Sequence, residues 1–306
     1  MRALVHDPVA PHGLRLGQAA DPTPEPGQVL VRVQATSLNF GEVAFLADHV
    51  QPGDVAGWDA AGTVIAAAPD GSGPEPGSAV VTFGWAGAWG ELRAVDADQL
   101  AVLPDGLDPG AAAALPVAAV TALRAIRRLG AVIGRRVLIT GASGGVGRFA
   151  AQLASRAGAD VVALAGSPER AEGLRQLGVS EVVFGLDELT APVDAVLENV
   201  GGDVLTQALD HLSPGGTVLS IGMASLQPTT IDFERMRMRA GGARIEAFVV
   251  GSSFGEDLSH LVALLHAGAL DPQIGWRGPW ERVEEAAGAL LGRRVRGKAV
   301  LEVTAA

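Results

Sequence analysis

The chain is 306 residues long, 48% hydrophobic and 19% charged, with a formal net charge of -11 at pH 7. That length suffices for two domains with buried cores, while the acidic balance argues against general binding to nucleic acid or anionic membranes and leaves room for a local basic cleft. Cysteine is absent, which excludes disulfides, thiolate nucleophiles and Cys-ligated zinc, and tyrosine is absent too, which removes the phenolic proton donor. The N-terminus, MRALVHDPVAP, has no basic stretch ahead of an apolar one, and no span of about twenty apolar residues occurs, so a cytoplasmic protein is expected.

In chain order, residues 2–6 and 28–37 (QVLVRVQATS) read as strands separated by the turn-rich DPTPEPG. Strand-like runs follow at 59–68, 78–83 and 91–95, so the first third is expected to be mostly β, as an irregular barrel or wrapped sheet. At Asp108 the composition changes: DPGAAAALPVAAVTALRAIRRLGAV is alanine-rich and helical, interrupted at Pro116.

Residues 136–170 predict strand, glycine-rich turn, helix and second strand in unbroken succession. The run 136–140 is apolar, 141–147 supplies the turn, and Val146, Phe149, Ala150, Leu153, Ala154 and Ala157 recur at helical spacing. This is a nucleotide-binding βαβ unit, opened by Ser143, Gly144, Gly145, Val146 and Gly147. Gly144 lets the backbone approach a pyrophosphate, and Gly147 lets the helix pack closely on the strand. Ala142 replaces the first glycine of the G-x-G-x-x-G pattern; the position between strand and helix is what gives the motif meaning.

A second strand at 160–165 leads to Ser167-Pro168-Glu169, which reads as the capped start of a helix through ERAEGLRQLG. Further strands are predicted at 181–184, 193–200, 217–222 and 244–250, with GDVLTQALDHL as a helix and SPGG (213–216) as a turn. The pattern is that of a doubly wound sheet of about six strands, with its ligand crevice at the strand C-termini. Helices are expected at 256–267 and 280–291, and a last strand at 297–303.

The ordered motifs SLNFGEV, AGWDAAGTV, GAWGELRAV, LPDG, AAALPVAAVTAL, VLITGASGGVG, ENVGGDVL, LSPGGTVLSIG and GKAVLEV resemble the zinc-independent quinone oxidoreductase branch of the medium-chain dehydrogenase/reductase superfamily, over nearly the full chain. The resemblance implies an α/β protein in which a Rossmann doubly wound parallel sheet domain, residues 113–252, is inserted in a mostly β, GroES-like catalytic domain, residues 1–112 and 253–306. It implies an active site in the cleft, and a homodimer paired through the edge strand near 244–250. It also places Thr121 near a nicotinamide, and sets Asn199, Gly222 and Met223 in loops along the cofactor. Zinc-dependent relatives carry Gly-His-Glu where this chain has Gly57-Trp58-Asp59, so the histidine ligand is missing. The six histidines show no ligand spacing and read as surface or helix-face residues.

NAD-specific domains place a carboxylate at the end of the second strand; here Ala165 and Gly166 stand there, with Ser167 and Arg170 just downstream, which suits the 2′-phosphate of NADPH. Ser167 also reads as a helix cap and Arg170 as a solvated first-turn residue. The chemistry left is metal-free hydride transfer to a quinone or α,β-unsaturated carbonyl. Alternatives are a tailoring enoyl reductase of a biosynthetic pathway, or a non-catalytic protein that senses NADPH. Asn39 in SLNF is the candidate hydrogen-bond donor to the acceptor carbonyl, read otherwise as a turn or cap residue. Glu42, His49 and Asp59 are candidate proton relays that also read as surface charges, and Trp58, Phe45, Trp85, Trp89 and Trp276 either wall an apolar pocket or are scattered core residues. The segment between Asn39 and Gly57 is short for the family, which would leave the substrate side open or lined by a partner subunit.

Overall fold

Residues 1–304 are described by a computed structural model, so the last two residues of the expected 253–306 segment lie outside the described residues. The chain forms two compact units, one of Met1–Val120 with the residues from Gly251 onward and one of Thr121–Val250.

The first unit begins with a hairpin of β1 (Arg2–His6) and β2 (Leu14–Gln18). The strand β2 was not legible, because LRLGQ mixes arginine and glycine with its two leucines. In β3 (Gln28–Leu38) Val29, Val31 and Val33 are buried while Arg32 and Gln34 are exposed, the period-two alternation of a strand with one wet face. Beyond Ala35 the alternation stops and Thr36, Ser37 and Leu38 are all buried, which is where the polar site forms. Helices α1 (Phe40–Ala44) and α2 (Leu46–His49) follow, then β4 (Asp59–Ala66), β5 (Ala79–Phe83), β6 (Leu92–Asp96) and β7 (Leu100–Val102). The alanine-rich segment forms α3 (Pro109–Ala113), capped by the Asp108 side chain, and α4 (Pro116–Leu129), whose residues from Thr121 onward belong to the second unit.

The second unit is built on β8 (Arg136–Ile139), α5 (Gly145–Arg156), β9 (Asp160–Leu164), α6 (Pro168–Ala171), β10 (Glu181–Val183), β11 (Val193–Glu198), α7 (Gly202–Leu209), β12 (Leu212–Ser220), α8 (Phe233–Arg239) and β13 (Arg244–Ala247). All strand pairs are parallel, in the order β10-β9-β8-β11-β12-β13. The order reverses between β8 and β11, the switch point of a doubly wound sheet. Leu138, Val162, Val183, Val196 and Val218 stack across it against Leu205, Ala208 and Leu209 of α7.

Two expectations in this unit are corrected. SPGG is not a turn that precedes a strand but a bulge inside β12: Val193 pairs with Leu212 and Ala195 already with Thr217. The helix opened by Ser167 stops at Ala171, because Glu172 has already turned to an extended conformation, ψ 132°.

The chain then returns to the first unit with α9 (Gly255–His266), β14 (Ile274–Pro279), α10 (Val283–Leu291) and β15 (Lys298–Glu302). There β15 pairs antiparallel with β3, and β14 parallel with β15. The seven-stranded sheet runs β14-β15-β3-β4-β5-β7, with β6 also paired to β3. Leu38, Val43, Leu46, Trp89, Trp280 and Leu301 share one core, which fixes α1 and α2 against the tail.

Candidate active site

In the second unit the turn after β8 delivers five of the predicted residues as one piece. Gly144 caps α5, Gly145 is the first residue of that helix, and Val146 and Gly147 complete its first turn. A Cβ on Gly147 would stand 2.6 Å from the Ala142 Cα and 2.6 Å from the Gly141 carbonyl oxygen, so only glycine lets α5 approach its own turn this closely. A Cβ on Gly144 would meet nothing nearer than the Gly141 oxygen at 3.4 Å, leaving an open face of backbone at the N-terminus of a twelve-residue helix. Arg170 reaches this turn from β9 and α6: its Nε donates to Ser143 Oγ at 3.0 Å. Ser167 Oγ accepts from the Arg170 amide at 3.4 Å, so the serine is a helix cap, and Gly166 is the half-step before it.

A second group lies where β8 and β11 end. Thr140 Oγ1 donates to Glu198 at 2.9 Å and accepts from the Asn199 amide at 2.9 Å. Asn199 Nδ2 donates to the Thr140 carbonyl at 2.9 Å and to the Leu197 carbonyl at 3.3 Å, so its side chain ties the two strands together. Glu198 is fully buried and accepts from the amides of Val200 and Gly201; burial raises its pKa while these bonds and that of Thr140 oppose the rise. The motif ENVGG carried this carboxylate in plain view, yet nothing in the sequence marked it as buried. Gly222 passes close to this loop, since a Cβ there would fall 2.9 Å from the Asn199 oxygen, and Met223 beside it is 47% exposed. Thr121 is buried in α4, and among the described residues no hydrogen bond ties it to the glycine turn.

The first unit holds a buried polar cluster that joins β3, α1, β4 and β15. Asn39 caps α1 and forms a capping box with Glu42. Glu42 accepts from the Asn39 amide at 2.7 Å, from Asn39 Nδ2 at 2.8 Å and from the Trp58 amide at 2.5 Å. Asn39 Nδ2 also donates to Asp59 at 2.8 Å, and Asn39 Oδ1 accepts from Lys298 Nζ at 2.6 Å. Asp59 further accepts from Ser37 Oγ, the Val117 amide and Lys298 Nζ, the last at 3.2 Å.

Glu42 and Asp59, candidate proton relays that also read as surface charges, are 5% and 0% exposed, and Lys298 is 2% exposed, so burial is tolerated because the charges meet one another. Burial and the neighbouring charge of Asp59 raise the pKa of Glu42 to about 8, against the pull of Lys298 and Asn39. The fully buried Arg93 is lowered to about 10 by desolvation, with Asp59 and Glu42 opposing. His49 is exposed, and His6, expected at the surface, is buried with its ring Nδ1 3.0 Å from the Gly13 carbonyl.

A Rossmann sheet carrying a glycine-rich helix start, and a mostly β unit carrying a buried polar cluster, define the class: a two-unit oxidoreductase architecture. The family model described as "Zinc-binding dehydrogenase" matches residues 145–267, and that of the "Alcohol dehydrogenase GroES-like domain" matches residues 25–105. The quinone oxidoreductase from Coxiella burnetii is 28% identical, with a TM-score of 0.86 over 99% of each chain. A mycobacterial protein solved in complex with NADPH is 25% identical, with a TM-score of 0.88 over 99% of this chain and 100% of that one. Erythronolide synthase EryA2 of Saccharopolyspora erythraea is 35% identical over 270 residues, 82% of this chain but 7% of that protein; the chain thus spans a small fraction of such curated relatives. The chain belongs to the medium-chain dehydrogenase/reductase superfamily of oxidoreductases, in the quinone oxidoreductase branch.

Proposed function

We propose that the chain is an NADPH-dependent, zinc-independent reductase of quinones or α,β-unsaturated carbonyls, the bound nicotinamide supplying the hydride. The observation that carries the reading is Arg170 held at Ser143, beside the open backbone of Gly144, with Ala165 where an NAD-specific domain has a carboxylate. In this reading Ser143 to Gly147 hold the pyrophosphate on the amides of α5. Gly166, Ser167 and Arg170 take the 2′-phosphate, Ser167 capping its helix at the same time, while Asn199, Gly222, Met223 and Thr121 line the nicotinamide half.

A catalytic zinc does not fit the residues present. The chain has no cysteine, Trp58 stands at the histidine position, and among the described residues no three His, Cys, Asp or Glu side chains group at metal-binding range. The carboxylates of Glu42 and Asp59 are already engaged by N–H and ammonium donors. No helix among the described residues is long and apolar enough to cross a membrane, and the reading places the protein in the cytoplasm. A homodimer paired through β13 completes the reading.

The test is a fluorescence titration of the protein with NADPH and with NADH. NADPH is expected to bind more tightly, and Arg170→Ala to weaken NADPH by roughly 10- to 100-fold while leaving NADH nearly unchanged, the worth of one charge-assisted contact to phosphate. Preference for NADH in the wild type would overturn the cofactor assignment.

A second reading, enoyl reduction on a biosynthetic acyl intermediate, is favoured by relatives that are polyketide synthase proteins, the spectinabilin polyketide synthase system protein NorB of Streptomyces orinoci, 34% identical over 262 residues, and the pikromycin polyketide synthase component PikAII of Streptomyces venezuelae, 31% identical over 274 residues. Steady-state oxidation of NADPH by 1,4-quinones, set against enoyl thioesters, separates the two. Higher kcat/KM with thioesters would decide for the second.

A further inference from the structure

The N–H donors of Asn39 and Lys298 are all engaged within the buried cluster. Both amide protons of Asn39 go to Glu42 and Asp59, and the three N–H bonds of Lys298 go to the Leu38 carbonyl, Asn39 Oδ1 and Asp59. An N–H donor to a carbonyl oxygen that gains negative charge has to come from other side chains.

The tryptophans fall into two groups. The indole N–H groups of Trp89, Trp276 and Trp280 donate to the Ser37 carbonyl, Glu285 and Glu281. Among the described residues those of Trp58 and Trp85 have no hydrogen-bond partner. These two rings meet edge to face, with centroids 5.3 Å apart and planes at 82°. Trp85 is 57% exposed, an unusual position for so large an apolar surface.

It is nevertheless firmly held. Its ring meets that of Phe83 at 5.0 Å, and Phe83 stacks on Phe254 at 3.7 Å with both phenylalanines buried. Trp58 is fixed by its amide bond to Glu42 and lies over Gly41, where a Cβ would stand 3.6 Å from its ring. An exposed indole on a buried aromatic column, next to a second indole with a free N–H, offers a flat electron-rich face and a donor in the plane of the ring. That combination matches a flat, electron-poor ring that carries a carbonyl oxygen.

We propose that Trp58 and Trp85 form the acceptor subsite, that it selects ring carbonyls of the quinone type over acyclic enones and thioesters, and that the indole N–H groups are the donors to the carbonyl oxygen. The inference rests on the reductase reading and narrows its substrate class.

Protein labelled with 15N at the tryptophan indoles gives one N–H signal per ring, assigned with Trp58→Phe and Trp85→Phe, and is titrated with 2-methyl-1,4-naphthoquinone in the absence of nucleotide. The lack of cysteine removes thiol addition to the quinone. The signals of Trp58 and Trp85 are expected to shift together, and those of Trp89, Trp276 and Trp280 to stay in place. In steady-state assays with NADPH, the kcat/KM ratio of this quinone to 3-penten-2-one is expected to fall about tenfold in Trp85→Ala, the worth of one aromatic contact. Trp58→Phe, which keeps a ring and loses the N–H, should lower kcat/KM for the quinone itself. Shifts confined to the other three tryptophans, no shift at all, or an unchanged ratio in Trp85→Ala together with an unchanged quinone kcat/KM in Trp58→Phe would overturn the subsite. Failure of wild-type protein to oxidise NADPH with either acceptor would instead overturn the reductase reading, with the titration still deciding whether the indoles bind the ring.

Discussion

At the scale of single residues, Glu42 carries the clearest conflict between environment and charge. Three N–H donors favour its carboxylate, yet burial and Asp59 outweigh them and hold its pKa near about 8, against 4.5 in the unfolded chain. A carboxyl that binds its proton more tightly when folded favours the folded state in acid. That contribution is full below pH 4.5 and declines as the pH rises through about 8, above which it is lost. All five tryptophans lie in the first unit, so urea unfolding followed by their fluorescence reads this unit alone. Wild-type midpoints are expected to fall between pH 5.5 and 8.5, and the slope to flatten in Glu42→Gln. At pH 5.5 that variant should match the wild type within about 1 kcal/mol, because its amide stands in for the protonated carboxyl there. Equal slopes in the two proteins would show that Glu42 does not titrate in this window. The sequence could flag Glu42 and Asp59 as candidates near Asn39, but each looked like an ordinary solvated charge because its partners are remote.

Among elements, the decisive junction is where β15 returns to β3. Lys298 pairs with Asp59 across 239 positions and with Asn39 across 259, so no local pattern could have disclosed the cluster. The glycine turn was legible for the opposite reason: strand, turn and helix are consecutive, and Gly147 answers to a clash with its own neighbours. Arg170 and Ser143, 27 positions apart, were within reach because one βα unit separates them. The missed strand β14 is IGWRGP, whose two glycines and proline hide a parallel partner supplied only by β15. Removing the ammonium in Lys298→Met leaves Asp59 buried with neutral donors only, a loss of about 3–5 kcal/mol. The same urea experiment at pH 7 measures it, and adding Asp59→Asn should recover part of the loss. A cost below roughly 1 kcal/mol would mean that the pair is no more than a surface bridge in worth.

For the whole molecule, the open edge of the parallel sheet matters most. Among the described residues the strand β13 pairs only with β12, and its outer edge offers backbone groups to a further strand. Ile245 is half-buried in it, and Val249 just beyond is 78% exposed. The other edge, β10, is three residues long and a poor template. Two copies that pair β13 about a twofold axis would satisfy both edges with one self-complementary contact and cover Val249. Light scattering at micromolar concentration is therefore expected to give about twice the 31.1 kDa chain mass, and Val249→Asp to shift the protein toward monomer by placing a charge in the desolvated contact. The variant should keep the wild-type far-UV circular dichroism and the wild-type NADPH titration, both of which report on the second unit that carries β13, and this separates a lost interface from a misfolded chain. A wild-type monomer, or a Val249→Asp protein that remains fully dimeric, would put the contact elsewhere.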